Sequence, residues 1–128
     1  MAPEVMYKQN HTFAVDYFAL GVIAYEFMLG VRPYRGKDKN AIKQEMFSRQ
    51  ASISKNQIPK GCSLESADFI NRLLIRKVNK RLGSRGATEI KEHSWFKYYP
   101  WKNLYLGLLD SPFIPKNDNT FDDSYCNT

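Results

Sequence analysis

Residues 13–29, FAVDYFALGVIAYEFML, decide the fold of this 128-residue chain. Fourteen of these 17 residues are apolar, and the exceptions are two carboxylates and one glycine. The apolar positions share no single face, so the segment is predicted to be a helix buried on all sides. Gly30 follows directly and predicts the C-terminal end of that helix. A chain this small has little material to surround such a helix. We therefore infer that something else covers it, either another part of the same protein or a partner.

Two of the three exceptions within this segment, Gly21 and Asp16, have structural explanations. Gly21 costs a helix about 1 kcal/mol relative to Ala, and close approach of another backbone would explain its presence. Asp16 lies near the helix start, where the helix dipole stabilises a carboxylate. The alternative role for Asp16 is to hold a neighbouring loop by its backbone N–H groups. Asp16 and Glu26 argue against a membrane span, because each would cost roughly 2–3 kcal/mol at bilayer depth.

The remaining pattern predicts an all-α chain with an extended C-terminal segment. Three further helices are predicted, at residues 40–49, 64–74 and 86–96. Ser63 is a suitable N-cap for the second of them. Residues 76–85 are expected to form a basic loop, and residues 1–12 an irregular start. Three prolines between residues 98 and 128 predict an extended tail there.

The chain is basic, with 19 Lys and Arg against 13 Asp and Glu, a net charge of +6. A basic domain can bind nucleic acid, anionic lipid or acidic proteins. No run reaches five like charges, which favours a solvated surface, and a small nucleic-acid-binding domain is the alternative. Cys62 and Cys126 have no metal-ligand spacing, so no metal site is expected. Two unpaired thiols indicate a reducing compartment, cytoplasmic or nuclear.

Three segments in the first part of the chain resemble motifs of protein kinases. Residues 2–4 are similar to the Ala-Pro-Glu motif that closes the kinase activation segment. Residues 16–22 resemble the Asp-x-Trp-Ser-Leu-Gly start of a kinase helix, with Phe and Ala in place of Trp and Ser. Residues 30–34 resemble the Gly-x-x-Pro-Phe/Tyr turn that follows this helix.

Two later segments continue the resemblance in the same order. Residues 81–83 are similar to the Arg-Leu-Gly of the last kinase segment, and residues 86–96 to its Gly-Ala-x-Glu-Ile-Lys-x-His-Pro-Trp-Phe continuation, with Ser94 in place of Pro. Residues 1–101 are therefore expected to be a partial kinase domain, the helical part of the large lobe. The Ala-Pro-Glu motif stands at its start, so a fragment of a longer kinase is expected.

The subgroup resemblance is to AGC kinases, the group that includes the cyclic-nucleotide-dependent kinases. Residues 101–104 (WKNL) and 111–115 (SPFIP) resemble the start of the AGC C-terminal tail. Residues 120–125 resemble the Phe-Asp segment with which that tail reaches back across the active site. Residues 102–128 are therefore expected to be an AGC-like tail.

The resemblance implies roles for five residues. Glu4 and Arg81 are expected to form a buried ion pair that ties the activation segment to the distal helices. Asp16 is expected to bind backbone N–H groups of the catalytic loop, so these three residues would support the active site. Glu26 is expected to contact an Arg of the peptide substrate. Phe121 is expected to approach the nucleotide pocket.

Phosphoryl transfer needs a Gly-rich loop, a phosphate-binding Lys, a catalytic Asp and Asn, and a metal-binding Asp-Phe-Gly. None of these motifs occurs in the 128 residues, and in kinases all of them precede Ala-Pro-Glu. No catalytic residue is therefore assigned to this chain, and no cofactor is expected to bind it alone. The full-length kinase would bind ATP and Mg²⁺ and phosphorylate Ser or Thr of protein substrates with basic residues near the phosphosite.

Two partners and one alternative follow from this interpretation. The expected partners are the protein substrate and the missing N-terminal part of the kinase, with no nucleic acid and no membrane span. The alternative is a non-catalytic protein-interaction module derived from the kinase large lobe. Soluble, monomeric and cooperatively folding material would favour the module, whereas exposed apolar surface around residues 13–29 would favour the fragment.

Overall fold

The computed structural model describes residues 1–114. Within this range the chain is helical and contains no strand, which confirms the all-α prediction. The α-helices are α1 (Pro3–Met6), α2 (Ala14–Leu29), α3 (Lys39–Ser48), α4 (Leu64–Leu73), α5 (Ala87–Lys91) and α6 (Trp101–Tyr105). Short 3₁₀ helices occur at Lys55–Gln57, Val78–Lys80 and Ser94–Phe96. No helix in the described range is long and apolar enough to cross a membrane.

The two ends of α2 are determined by a hydroxyl at its start and a glycine at its end. The Thr12 hydroxyl accepts a hydrogen bond from the Ala14 N–H at 3.3 Å, which satisfies one of the free donors of the first turn. Gly30 adopts the left-handed conformation at φ 70°, and its N–H donates to the Glu26 carbonyl at 2.8 Å. This conformation strains residues with a Cβ, which explains why the helix ends at glycine.

α2 packs closely against α4, and Gly21 makes the contact possible. A Cβ added to Gly21 would lie 2.8 Å from the Leu73 Cβ and 3.3 Å from the Leu73 carbonyl carbon. Phe18 of α2 and Leu74 at the end of α4 are fully buried. Ser63 begins α4 as predicted, because its hydroxyl accepts from the Ser66 N–H at 3.1 Å. The predicted close approach of a second backbone at Gly21 is thus confirmed.

One side of α2 carries a stripe of exposed apolar side chains. Leu20, Ile23 and Phe27 are 42%, 50% and 86% exposed, and their spacing places them on one helix face. Residues 1–114 alone therefore do not bury α2 on all sides, as expected for a chain with too little material to surround it. Residues 1–114 cover the face that meets α4 and leave the α2 stripe in contact with solvent.

Two segments expected to be irregular or extended contain a helix. The start of the chain forms α1, because Pro3 occupies a first-turn position where its fixed φ and missing N–H are tolerated. The segment after Pro100 forms α6 before the chain continues without further helix to residue 114. Both helices are four to five residues long, which is too short for a periodic apolar pattern to appear.

The helix predicted over residues 86–96 is interrupted. α5 ends at Lys91, and His93 has an extended backbone at φ −61° and ψ 143°. The His93 Nδ1 accepts the Trp95 N–H at 3.2 Å and so caps the following 3₁₀ helix. Because Nδ1 accepts, Nε2 carries the ring proton and donates to Asp68 at 3.1 Å. His93 thereby fixes this turn to α4.

An aromatic cluster holds the last helices against α4. The Phe69 ring centroid is 5.2 Å from the centroids of His93, Trp95 and Phe96. Phe96 in turn lies 4.9 Å from Trp101 of α6. Such aromatic pairs add roughly 0.5–1.5 kcal/mol each beyond their buried area, so they account for the ordered position of α6.

Candidate functional site

A buried ion pair joins the two ends of the kinase-like region. The Arg81 side chain is 0% exposed and that of Glu4 is 3% exposed. Their contacts are bidentate, with Arg81 Nη1 at 2.7 Å from Glu4 Oε1 and Nη2 at 3.0 Å from Oε2. Charged side chains are almost never this deeply buried without such a partner. The pair expected from the resemblance is thus present across 77 residues of sequence.

Arg81 uses the rest of its guanidinium to hold three backbone carbonyls. It donates to Ile75 at 2.8 Å, to Ala14 at 2.8 Å and to Arg76 at 3.2 Å. With the two bonds to Glu4, all five N–H donors of the side chain are satisfied. Arg81 therefore fixes α1, the first turn of α2 and the loop after α4 in one arrangement.

The charge state of Glu4 follows from two opposed effects. Burial alone would raise the pKa of Glu4, but the hydrogen bonds and the positive charge of Arg81 outweigh it and lower the pKa below 4.5. The carboxylate therefore stays ionised at neutral pH. Since the folded state lowers this pKa, acid should weaken the pair and with it the fold.

Asp16 lies apart from this pair, on the surface at the first turn of α2. Within residues 1–114 its carboxylate makes no hydrogen bond or ion pair. It borders a shallow groove of about 350 Å³ together with Phe13, Tyr17, Gly86 and Ala87. The connection to Arg81 is indirect, because Arg81 binds the carbonyl of Ala14 two residues earlier. The structure thus presents Asp16 as a free acceptor on a fixed helix turn.

Glu26 lies nearly three turns, about 2.8, further along α2, beside a different cavity. Its carboxylate is 3.5 Å from the Arg32 Nε, and both side chains are substantially exposed, 44% and 71%. An ion pair this exposed contributes little stability and can be exchanged for another cation. The adjacent cavity of about 300 Å³ is lined mainly by apolar side chains, among them Phe18, Val22, Tyr34, Ile42 and Met46.

Phe121, the fifth predicted residue, lies outside the described residues. Among residues 1–114, no group of three or more His, Cys, Asp or Glu side chains is placed to hold a metal ion.

Sequence reasoning missed Glu89, which organises the loop beside Asp16. Glu89 accepts the backbone N–H of Gly83 at 2.9 Å and that of Arg85 at 3.2 Å, and it pairs with the Arg85 guanidinium at 3.0 Å. Burial would raise the pKa of Glu89, but these hydrogen bonds lower it. The i,i+4 spacing of Arg85 and Glu89 was the available signal. The bonds to backbone N–H groups have no sequence signature.

Gly83 explains why this loop lies against α2. Its φ is +90°, and an added Cβ would lie 2.5 Å from the Tyr17 ring. Only glycine fits this conformation and this distance. The loop around Gly83 and the first turn of α2 are therefore packed together next to Asp16.

Comparison with known families identifies this arrangement. The family described as "Protein kinase domain" matches residues 1–96, which include Glu4, Asp16, Glu26 and Arg81. The chain belongs to the protein kinase family. The supporting roles of Glu4, Arg81 and Asp16 and the substrate role of Glu26 stay predictions.

Relatives of this kinase chain are serine/threonine kinases. It is 38% identical over 120 residues to serine/threonine-protein kinase UCN of Arabidopsis thaliana, covering 93% of this chain and 28% of that protein. It is 34% identical over 128 residues to ribosomal protein S6 kinase alpha-6 of Danio rerio, covering 98% of this chain and 16% of that protein. It is 33% identical over 126 residues to the cAMP-dependent protein kinase catalytic subunit of Dictyostelium discoideum, covering 97% and 19%. The chain therefore spans less than a third of each of these relatives.

Proposed function

We propose that this chain forms the substrate side of the large lobe of an AGC-type serine/threonine kinase. The whole protein transfers the γ-phosphate of Mg-ATP to Ser or Thr of protein substrates in the cytoplasm or nucleus. The observation that carries the proposal is the buried Glu4–Arg81 pair, which joins residues 2–4 to residues 81–83 inside the kinase-matched region. The names of the relatives support the Ser/Thr class.

The AGC assignment rests on the C-terminal part of the chain. Residues 101–104 and 111–115 resemble the start of the AGC tail, and a cAMP-dependent kinase is among the relatives. We assign residues 102–128 to this tail, and the approach of Phe121 to the nucleotide pocket stays a prediction. Kinase assays of the whole protein test this assignment. An AGC-type kinase should phosphorylate basic peptides better than proline-directed or acidic peptides.

The groups that bind ATP and catalyse transfer are assigned to residues outside these 128. The α2 stripe supports this, because Leu20, Ile23 and Phe27 form an apolar face with no cover among residues 1–114. Burying three side chains of this size stabilises a packed lobe by roughly 1.5–3 kcal/mol each. Because the ATP-binding and catalytic motifs do not occur in the 128 residues, the chain alone is expected to transfer no phosphate.

Asp16 is proposed to position the loop that carries the catalytic Asp. Its exposed carboxylate lies on a helix turn that Arg81 fixes. It can therefore accept hydrogen bonds from backbone N–H groups with little loss of its own conformational entropy. In the whole protein, Asp16→Asn should lower kcat roughly 10- to 100-fold, as expected when charged hydrogen bonds are lost. Glu65→Gln, at the exposed first turn of α4, is the matched control and should change kcat less than about twofold. An unchanged kcat in Asp16→Asn would remove this assignment.

Glu26 is proposed to bind a basic residue of the substrate. A substrate guanidinium can displace Arg32, whose contact of 3.5 Å is loose and exposed. Glu26→Gln should raise KM for an Arg-containing peptide roughly tenfold and leave kcat within about twofold. The same variant should not change KM for a peptide in which that Arg is Ala. Equal effects on both peptides would mean that Glu26 serves packing only.

A further inference from the structure

Tyr7 and Phe47 form an aromatic pair on the surface where α1 meets α3. Their ring centroids are 4.9 Å apart with an interplanar angle of 83°, and Phe47 is 65% exposed. The Lys43 Nζ stands 5.1 Å from the centre of the Tyr7 ring. Phe47 and Lys43, the two residues that contact Tyr7, line an open groove of about 580 Å³ together with Asn40, Gln44 and Ser48. We call this surface the α1–α3 groove.

The groove is separate from the cavity beside Glu26. Ile42 and Met46 line the Glu26 cavity, whereas Lys43 and Phe47 line the groove, so the two sites lie on different faces of α3. Met46 is buried and holds α3 in place, but Phe47 makes no comparable contribution to the core. Core packing therefore does not explain an aromatic side chain at position 47.

The rim of the α1–α3 groove carries cationic groups without neighbouring free carboxylates. Lys43 lies in the groove, Lys8 follows Tyr7, and Arg76 donates to the carbonyls of Met46 and Phe47 at 2.7 and 2.8 Å. The carboxylates close by are already engaged. They are Glu4, paired with Arg81, Glu45, paired with Arg49 and with the N–H of Arg35, and Asp38, which caps α3 by accepting from the Ala41 N–H.

We propose that the α1–α3 groove binds an acidic protein segment that carries one apolar or aromatic side chain. That side chain packs on Phe47 and Tyr7, since edge-to-face aromatic contacts are favourable at such exposed rings. The carboxylates on either side of it pair with Lys43 and Lys8. Lys43 over the Tyr7 ring, Arg76 on the Phe47 carbonyl and the exposed Lys8 next to Tyr7 in sequence form a short patch, not the long basic stripe that follows a nucleic-acid backbone. This makes an acidic protein segment the better complement.

The binding test uses the full-length protein and a fluorescent 12-residue peptide with a central Phe flanked by Asp and Glu. Fluorescence anisotropy should give saturable binding that weakens at least tenfold in Phe47→Ala and in Lys43→Glu, as for central contact residues. Lys102→Glu, an exposed charge change on α6, is the matched control and should change Kd less than twofold. A peptide with Ala in place of the Phe should bind at least tenfold more weakly.

Three results would overturn the proposal. They are absence of binding, equal binding of the Phe and Ala peptides, and tighter binding of a 12-nucleotide single-stranded DNA that also requires Phe47. Thermal melts check that the variants fold, which is expected because position 47 is exposed. Glu26→Gln should leave peptide binding at the groove unchanged, so failure here is distinguishable from failure of the proposed kinase function.

Discussion

At the residue scale, Arg81 and Glu4 contribute more to the fold than any exposed pair. Glu4→Gln leaves the Arg81 charge buried with one neutral partner, which should lower the free energy of unfolding by about 3–5 kcal/mol. Urea unfolding of the whole protein measures this. Arg72→Gln, which breaks the exposed Asp68–Arg72 pair, is the control and should cost below about 1 kcal/mol. Equal losses in both variants would mean that the buried pair has no special role.

The same pair makes stability depend on pH. The folded state lowers the pKa of Glu4, so its contribution is complete above the unfolded pKa and is lost as pH falls through the folded value. The stability difference between the native protein and Glu4→Gln should therefore be constant from pH 7 to about 5 and shrink below pH 4. Melting temperatures across pH 3–7 measure it. A difference that grows as the pH falls would contradict the assigned direction.

The contacts of single residues were predictable where both partners are side chains. The Glu4–Arg81 pair could be expected from resemblance, because both partners are visible in the sequence. The three carbonyls that Arg81 binds could not, since every residue has one and only the fold selects them. Glu89 was missed for the same reason, because two of its three partners are backbone N–H groups.

At the element scale, the contact between α2 and α4 depends on Gly21. Helix propensity alone would make Gly21→Ala more stable by about 1 kcal/mol. The added Cβ would instead lie 2.8 Å from that of Leu73, so a net loss of about 1–3 kcal/mol is expected. Chemical denaturation decides the sign. Ala19→Gly, at an exposed position of the same helix, measures the propensity contribution separately. A stabilised Gly21→Ala variant would contradict the packing seen between the helices.

The α2 stripe gives a prediction that differs between the chain and the whole protein. Ile23→Lys should reduce self-association of the isolated chain, because it places a charge on an exposed apolar face. In the whole protein the same change should destabilise by several kcal/mol, since the site is proposed to be covered. Light scattering and thermal melts measure the two effects. Tyr105→Lys, 90% exposed on α6, is the control and should do neither. A neutral effect of Ile23→Lys in the whole protein would mean that the stripe stays exposed there.

Long elements were predictable and short ones were not. α2, α3 and α4 have ten or more residues, so apolar pattern, N-caps and the glycine stop located them within one or two positions. α1 and α6 rest on tertiary contacts, such as the Phe96–Trp101 pair that anchors α6. The break after α5 depends on a His93 cap whose acceptor nitrogen is set by Asp68, a residue 25 positions away.

At the scale of the whole molecule, α2 is packed against α4 on one face and exposes apolar side chains on another. The core formed by α2 and α4 encloses fully buried side chains such as Phe18, Leu73 and Leu74. The α2 stripe on the opposite side has no counterpart in residues 1–114. The chain spans 28% or less of each of the three kinase relatives. An uncovered α2 stripe is expected if other residues of the lobe pack on it in the whole protein. The sequence indicated the apolar helix, but only the structure shows that the face of Leu20, Ile23 and Phe27 is the one left uncovered.

These 128 residues are proposed to act as one part of a larger serine/threonine kinase. The most direct test is immunoprecipitation from source cells with an antibody against this chain, followed by gel sizing and γ-phosphate transfer from labelled Mg-ATP to a basic Ser peptide. We expect a species much larger than 14.9 kDa that phosphorylates the peptide, whereas the isolated chain does not. A single monomeric species at 14.9 kDa, without transferase activity and with the α2 amides fully protected from hydrogen exchange, would contradict it.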